Sequence, residues 1–183
     1  MKIRFLGAAR VVTGSCYHLI TDSLQILVDC GMYQGKNADE VNRQPFQFDP
    51  GQIDVLLLTH AHLDHSGLLP KLVADGFKGD IVATAGTAEL VEIMLLDSAH
   101  IQERDAEWMT KKSFRAGKDQ IYQPLYTEED AKGVMPFVKK VNYMETLQLK
   151  SGVRYRFIDA GHILGSGSLE IWLNNGDEEK KIV

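Results

Sequence analysis

Cysteine is scarce: only Cys16 and Cys30 occur in 183 residues. Two are too few for a disulfide framework and too far apart for a CxxC redox or zinc motif, so both read as small buried hydrophobes. No apolar stretch approaches the roughly 20 residues that cross a bilayer, which excludes a membrane-spanning helix as the organising feature. Residues 1–7 carry Lys2 and Arg4 but no long apolar centre, so no secretory leader is expected and a cytoplasmic location follows as the default. Charge of one sign is also lacking. Twenty basic against 25 acidic side chains leave a net charge of -5, too acidic to hold nucleic acid by bulk charge, although a local basic groove remains compatible. What is present, 44% hydrophobic and 25% charged residues, suits a folded chain with one sizeable core.

The first third reads as short strands between turns. Residues 2–6 alternate so that Ile3 and Phe5 share a face, and residues 16–21 and 24–28 flank an Asp22-Ser23 turn. Residues 31–51 are a polar loop with one helical turn. Residues 53–58 form a continuous apolar run, as in a strand buried on both faces. A short helix follows Ser66 and ends near Gly76, a strand covers 81–84, and a helix capped by Thr87 runs to about Glu107 with Leu90, Ile93, Met94 and Ile101 inward. Thr127 caps another helix that Pro136 shortens. Strands over 145–149, 154–159 and 168–173, a turn at 174–177 and a returning strand from Lys180 complete a layered α/β chain, with no repeat or low-complexity tract.

The chemistry concentrates in Thr59-His60-Ala61-His62-Leu63-Asp64-His65, where an apolar run delivers three imidazoles and a carboxylate to one strand end. In extended backbone His60 and His62 point to the same side, and a tight turn brings Asp64 and His65 back towards them. Neutral imidazoles with a carboxylate suit a borderline divalent ion, zinc above all, at about 2.0–2.2 Å.

This H-x-H-x-D-H motif resembles the metallo-β-lactamase superfamily, and the resemblance implies an α/β fold, the αββα sandwich, with one or two zinc ions. It assigns His60 and His62 to a first site and Asp64 and His65 to a second. A distal Gly-His element completes the first site, and the match is Ala160-Gly161-His162-Ile163-Leu164-Gly165-Ser166, which implies His162 as its third ligand. The early aspartate of the family matches Asp29, implying hydrogen-bonded support of the histidine loop rather than ligation. The segments Gly7-Ala8-Ala9-Arg10-Val11-Val12-Thr13-Gly14-Ser15 and His65-Ser66-Gly67-Leu68-Leu69-Pro70, taken with the Gly-His-Ile-Leu-Gly-Ser loop, resemble the β-CASP ribonuclease branch.

That resemblance implies metal-assisted hydrolysis of RNA phosphodiesters, with Asp64 and His65 in catalytic roles. It also implies that a bridging aspartate and the inserted β-CASP domain lie past Val183. Residues 1–183 are then the N-terminal part of the sandwich, with two zinc ions in the parent enzyme, at most one held tightly here, and little activity. The expected partner is RNA, with a homodimer or a processing complex as the assembly and no membrane.

Lys111, Lys112 and Arg115, with Lys118, are candidates for tracking an RNA backbone, and Thr13, Gly14 and Ser15 for a turn facing the substrate. Trp108, Tyr122 and Tyr126 are candidates for stacking on bases, against the plainer reading of core aromatics. His18 and His100 read as structural. Two alternatives to the ribonuclease stand: a hydrolase of thioesters, lactams or lactones on the same fold, and a non-catalytic metal-binding or assembly fragment.

Overall fold

The computed structural model describes residues 1–175 and 178–183. Strands β1 (Lys2–Phe5), β2 (Tyr17–Ile20) and β3 (Gln25–Val28) form the expected antiparallel meander. Helix α1 (Ala38–Arg43) is the single α-helical segment of the polar loop before β4 (Val55–Leu57), which is buried along its whole length and pairs parallel with β3. Helices α2 (Leu63–Ser66) and α3 (Leu69–Ala74) lead to β5 (Asp80–Thr84); α4 (Ala85–Arg115) and α5 (Glu128–Val134) lead to β6 (Val138–Val141). These strands make one six-stranded sheet in sequence order, with β4, β5 and β6 parallel.

A second, antiparallel sheet is built from β7 (Leu147–Gln148), β8 (Arg154–Asp159), β9 (Gly167–Asn175) and β10 (Glu178–Ile182). Of the turn expected at 174–177, Gly176 and Asp177 lie outside the described residues. The returning strand begins at Glu178 rather than Lys180.

Period-two alternation sorts the side chains into layers. Leu19, Ile26, Val55, Leu57 and Val82 meet Tyr155, Phe157, Leu169, Ile171 and Leu173 between the sheets. The opposite face of the first sheet, carrying Leu27, Leu56, Leu58, Ile81 and Ala83, packs under Leu69, Leu72, Val91, Leu95 and Val134 of the helices. Cys16 and Cys30 are buried free thiols in this second core, as expected. Each fully buried Leu, Ile or Phe contributes on the order of 1.5–3 kcal/mol. The far face of the second sheet carries Trp172 beside the cations of Arg154, Arg156 and Lys181. Glu170 receives hydrogen bonds from Lys181 and Arg156, which hold its carboxyl below the usual carboxylate range.

The long helix departs from the expectation. Thr84, not Thr87, is its N-cap, accepting from the Thr87 amide, and it runs to Arg115. Ile93 and Ile101 point outward at 64% and 51% exposure, while Val91, Leu95, Ser98 and Ala99 face the core. The buried face mixes bulky Val91 and Leu95 with small Ala88, Ser98, Ala99 and Ala106, so residue bulk alone does not mark it. Strand β6 is a further departure; Val138-Lys139-Lys140-Val141 is a half-exposed edge without apolar alternation. The helix after Thr127 has the anticipated cap, reinforced by Asp130 in a reciprocal capping box, and gives way at Met135-Pro136 to a 3-10 turn. No helix among the described residues is long and apolar enough to cross a membrane.

Candidate metal centre

Beyond β4 the chain leaves the sheet with the His60 and His62 rings together, their centroids 5.0 Å apart. Helix α2 then turns the chain back: the amides of His65 and Ser66 both donate to the His62 carbonyl at 2.9 Å, and Ser66 Oγ donates to Ala61 O at 2.9 Å. One turn of helix therefore returns Asp64 and His65 to the strand end.

The segment before β2 and the end of β3 clamp this turn. Ser15 N donates to Asp64 O at 2.7 Å, Cys30 N to His65 O at 2.8 Å and Met32 N to Leu63 O at 2.8 Å. Gly31 is required there, because a Cβ on it would sit 1.7 Å from the Asp64 carbonyl oxygen. Asp29 has a left-handed backbone (φ 60°), which Asp tolerates better than most residues, and this aims its buried carboxylate at the loop. Its Oδ1 accepts from Thr59 N at 2.8 Å; its Oδ2 accepts from His65 Nδ1 at 2.7 Å and Ser15 Oγ at 3.2 Å. Thr59 Oγ1 lies 3.0 Å from both carboxylate oxygens.

The third histidine arrives on the β8–β9 connection. Asp159 Oδ1 accepts from Gly161 N at 2.9 Å, a turn that starts the loop, and Ser166 Oγ accepts from His162 N at 3.0 Å and Ile163 N at 3.2 Å. Thr87 Oγ1 donates to Gly165 O at 2.7 Å, and Gly167 N donates to Thr59 O at 2.9 Å. Gly165, at φ +81°, has no room for a Cβ, which would fall 2.0 Å from Thr87 N. The loop is thus fastened both to the start of α4 and to the histidine strand. Asp159, Ser166 and Thr59 are supporting residues that the motifs alone do not single out. For Asp159 and Ser166 the available signal is a short polar side chain flanking a Gly-rich turn.

The result is a convergence of imidazoles. His60, His62 and His162 each present a ring nitrogen within 4.8 Å of the others, their ring centroids 5.0 Å apart pairwise. His162 Nε2 lies 3.2 Å from His62 Nδ1. A tetrahedral ion with bonds of about 2.0–2.1 Å to nitrogen sets neighbouring ligand atoms about 3.3 Å apart, which the His62–His162 pair matches. His65 sits alongside, its ring centroid 4.0 Å from that of His60 and its Nε2 3.8 Å from Asp64 Oδ2.

Burial, followed by the charges of His65 and the other imidazoles, pushes the His60 pKa down to about 4. Its lone pair is therefore free near neutrality. Burial opposes charging of His65, but the Asp29 hydrogen bond and the carboxylates of Asp29 and Asp64 outweigh it and raise its pKa above the ordinary imidazole value.

The remaining candidates lie elsewhere. Ser15 is buried, and its amide donates to Asp64 O and so braces the loop. Thr13 Oγ1 exchanges hydrogen bonds with the Gln34 backbone, and Thr13 and Gly14 line a cavity of about 510 Å³ with Phe46 and Phe48. Lys111, Lys112 and Arg115 are exposed in the last turns of α4, whose opposite end meets the His162 loop. At 1.5 Å per residue that is about 40 Å away along the helix. Lys111 pairs with Glu107 and Lys112 lies over Trp108. Tyr126 is buried and donates to Ser98, a core role. His100 contacts Glu128 on the surface, and His18 is buried against Gln25.

Comparison with known proteins bears on this geometry. A family model described as the metallo-beta-lactamase superfamily matches residues 9–140. A protein named as a ribonuclease from Thermus thermophilus is 38% identical over 91% of this chain and 34% of its own length. Proteins named transcription termination factor FttA are 30% identical in Methanosarcina mazei and 32% in Pyrococcus abyssi, over 96% of this chain and 26% of theirs. The chain thus spans between a quarter and about a third of the length of these relatives. Among solved structures, a B3 metallo-beta-lactamase with an active-site glutamic acid superposes with TM-score 0.56 at 19% identity, over 98% of this chain and 57% of that one. The B3 enzyme BJP-1 of Bradyrhizobium japonicum gives 0.54 at 20%, over the same shares.

Proposed function

The chain belongs to the metallo-beta-lactamase superfamily, whose members depend on metal, and from that premise we propose that it is the metal-binding part of a zinc-dependent RNA phosphodiester hydrolase of the β-CASP type. The observation that carries the reading is the meeting of His60, His62 and His162, from segments a hundred residues apart, beside Asp64 and His65. His60, His62 and His162 hold the first ion. Asp64 and His65 offer two groups towards a second, too few to hold it tightly. A divalent ion bound there supplies Lewis acidity, bringing the pKa of water towards about 7 and stabilising charge on a phosphoryl oxygen.

The protein's own groups divide the remaining work. Asp64, partly exposed and 3.8 Å from His65 Nε2, orients the attacking water and accepts a hydrogen bond from it. Asp29 accepts a hydrogen bond from His65 Nδ1, which leaves Nε2 facing Asp64. RNA is favoured over lactam or thioester substrates by the ribonuclease name of the Thermus thermophilus relative and by the three branch motifs; the likeness to lactamase structures speaks only to the fold. Lys111, Lys112 and Arg115, remote from the histidines, provide a second contact to the RNA backbone.

The reading is tested with labelled RNA, lactam and thioester substrates on the longest natural polypeptide that contains these residues. RNA cleavage that disappears in His60→Ala is expected, with weaker RNA binding and a shallower salt dependence when Lys111, Lys112 and Arg115 become Ala. Turnover of lactam or thioester without RNA cleavage would overturn it.

A further inference from the structure

Thr59 directly precedes the first histidine, and its side chain does more than its backbone requires. The backbone ties two elements together, with N donating to Asp29 Oδ1 at 2.8 Å and O accepting from Gly167 N at 2.9 Å. The hydroxyl does something separate. It lies 3.0 Å from Asp29 Oδ1, 3.0 Å from Asp29 Oδ2 and 3.0 Å from His60 Nδ1.

A threonine hydroxyl has one proton to give, and an ionised carboxylate can only accept. Two carboxylate oxygens at 3.0 Å draw that proton more strongly than one imidazole nitrogen, so towards His60 the same oxygen is assigned as acceptor. On that assignment His60 Nδ1 carries a hydrogen and the Nε2 lone pair is free. The same carboxylate accepts the Nδ1 hydrogen of His65 at 2.7 Å, so the Nε2 of that ring is free as well. One buried anion thus sets two imidazoles, directly for His65 and through a hydroxyl for His60.

We infer that Thr59 is a positioning residue whose hydroxyl relays the Asp29 carboxylate to His60, fixing the ring orientation and tautomer that turn Nε2 towards the shared ion. The inference rests on the metal-centre reading and adds a residue to it. Partners of this outer kind are worth about 10–100-fold in metal affinity. Because the backbone bonds of Thr59 survive any substitution except proline, the hydroxyl can be tested by itself. Valine has nearly the same shape without the oxygen, and serine restores it.

The test compares the unmodified chain with Thr59→Val and Thr59→Ser, using cobalt(II) binding followed by its visible spectrum and long-range proton–nitrogen NMR of the metal-free imidazoles. Thr59→Val is expected to lose about 10–100-fold in cobalt affinity and the Nδ1–H form of His60, while His65 keeps its Nδ1–H. Thr59→Ser should recover both. Cobalt affinity in Thr59→Val equal to that of the unmodified chain would overturn the inference while leaving the metal centre standing. So would equal losses in the Val and Ser variants with matching drops in melting temperature, since that pattern marks a packing role. Failure of the unmodified chain itself to bind cobalt would sink the metal-centre reading, and the inference with it.

Discussion

Asp29→Ala is expected to destabilise the metal-free chain by about 3 kcal/mol or more, a large share of the roughly 5–15 kcal/mol that holds a domain together. The carboxylate is 2% exposed and accepts from Thr59 N, Thr59 Oγ1, Ser15 Oγ and His65 Nδ1. Truncation leaves the buried Ser15 and the half-buried Thr59 and His65 without their acceptor, and an unsatisfied buried group costs about 1–3 kcal/mol. Alanine also tolerates the left-handed backbone at φ 60° less well than aspartate, adding to the loss. The Asp29→Asn variant, which keeps the shape and the backbone tolerance, should fall between the two. Urea unfolding of the three chains without metal measures this directly. An alanine variant as stable as the unmodified chain would show that Asp29 is not the anchor of the histidine loop.

His162→Ala should behave in the opposite way. The side chain is exposed, so its removal should shift the stability of the metal-free chain by no more than about 0.5 kcal/mol, as usual for surface sites. Metal affinity should fall by more than the roughly 10–100-fold typical of an outer partner, because only two imidazoles of the three-nitrogen set would remain. Equilibrium dialysis against zinc, with melting curves on the metal-free forms, separates the two effects. Unchanged affinity would mean that His162 meets the other rings without sharing an ion. The two variants are expected to differ because the Asp29 carboxylate accepts four hydrogen bonds within the fold, whereas His162 is exposed beside His60 and His62.

Much of the site is legible before the fold because its parts are local in sequence. His60, His62, Asp64 and His65 lie on a strand exit and a single helical turn, and an apolar run followed by crowded ligand residues is visible without tertiary information. His162 is different. It is a hundred residues from His62 and closes the site from the second sheet, so only the likeness of its Gly-His loop to the family points to it.

The supporting residues are hardest to see. Ser15 reads in sequence as part of a turn, and the bond of its amide to Asp64 O is invisible there because it follows from how the chain before β2 lies beside the end of β3. Helix α4 shows the same limit. Ile93 and Ile101 are bulky and outward, yet Val91, Ser98 and Ala99 are buried. Local pattern specifies which elements form; the distances between them decide which side chains meet.

One ion shared by His60, His62 and His162 is the claim on which the proposed chemistry depends. X-ray absorption at the zinc edge, on the chain loaded with one equivalent of zinc, measures that sphere. Three imidazole nitrogens at about 2.0–2.1 Å are expected, falling to two in His162→Ala. A sphere with fewer imidazoles in the unmodified chain, or one unaltered by that substitution, would contradict it.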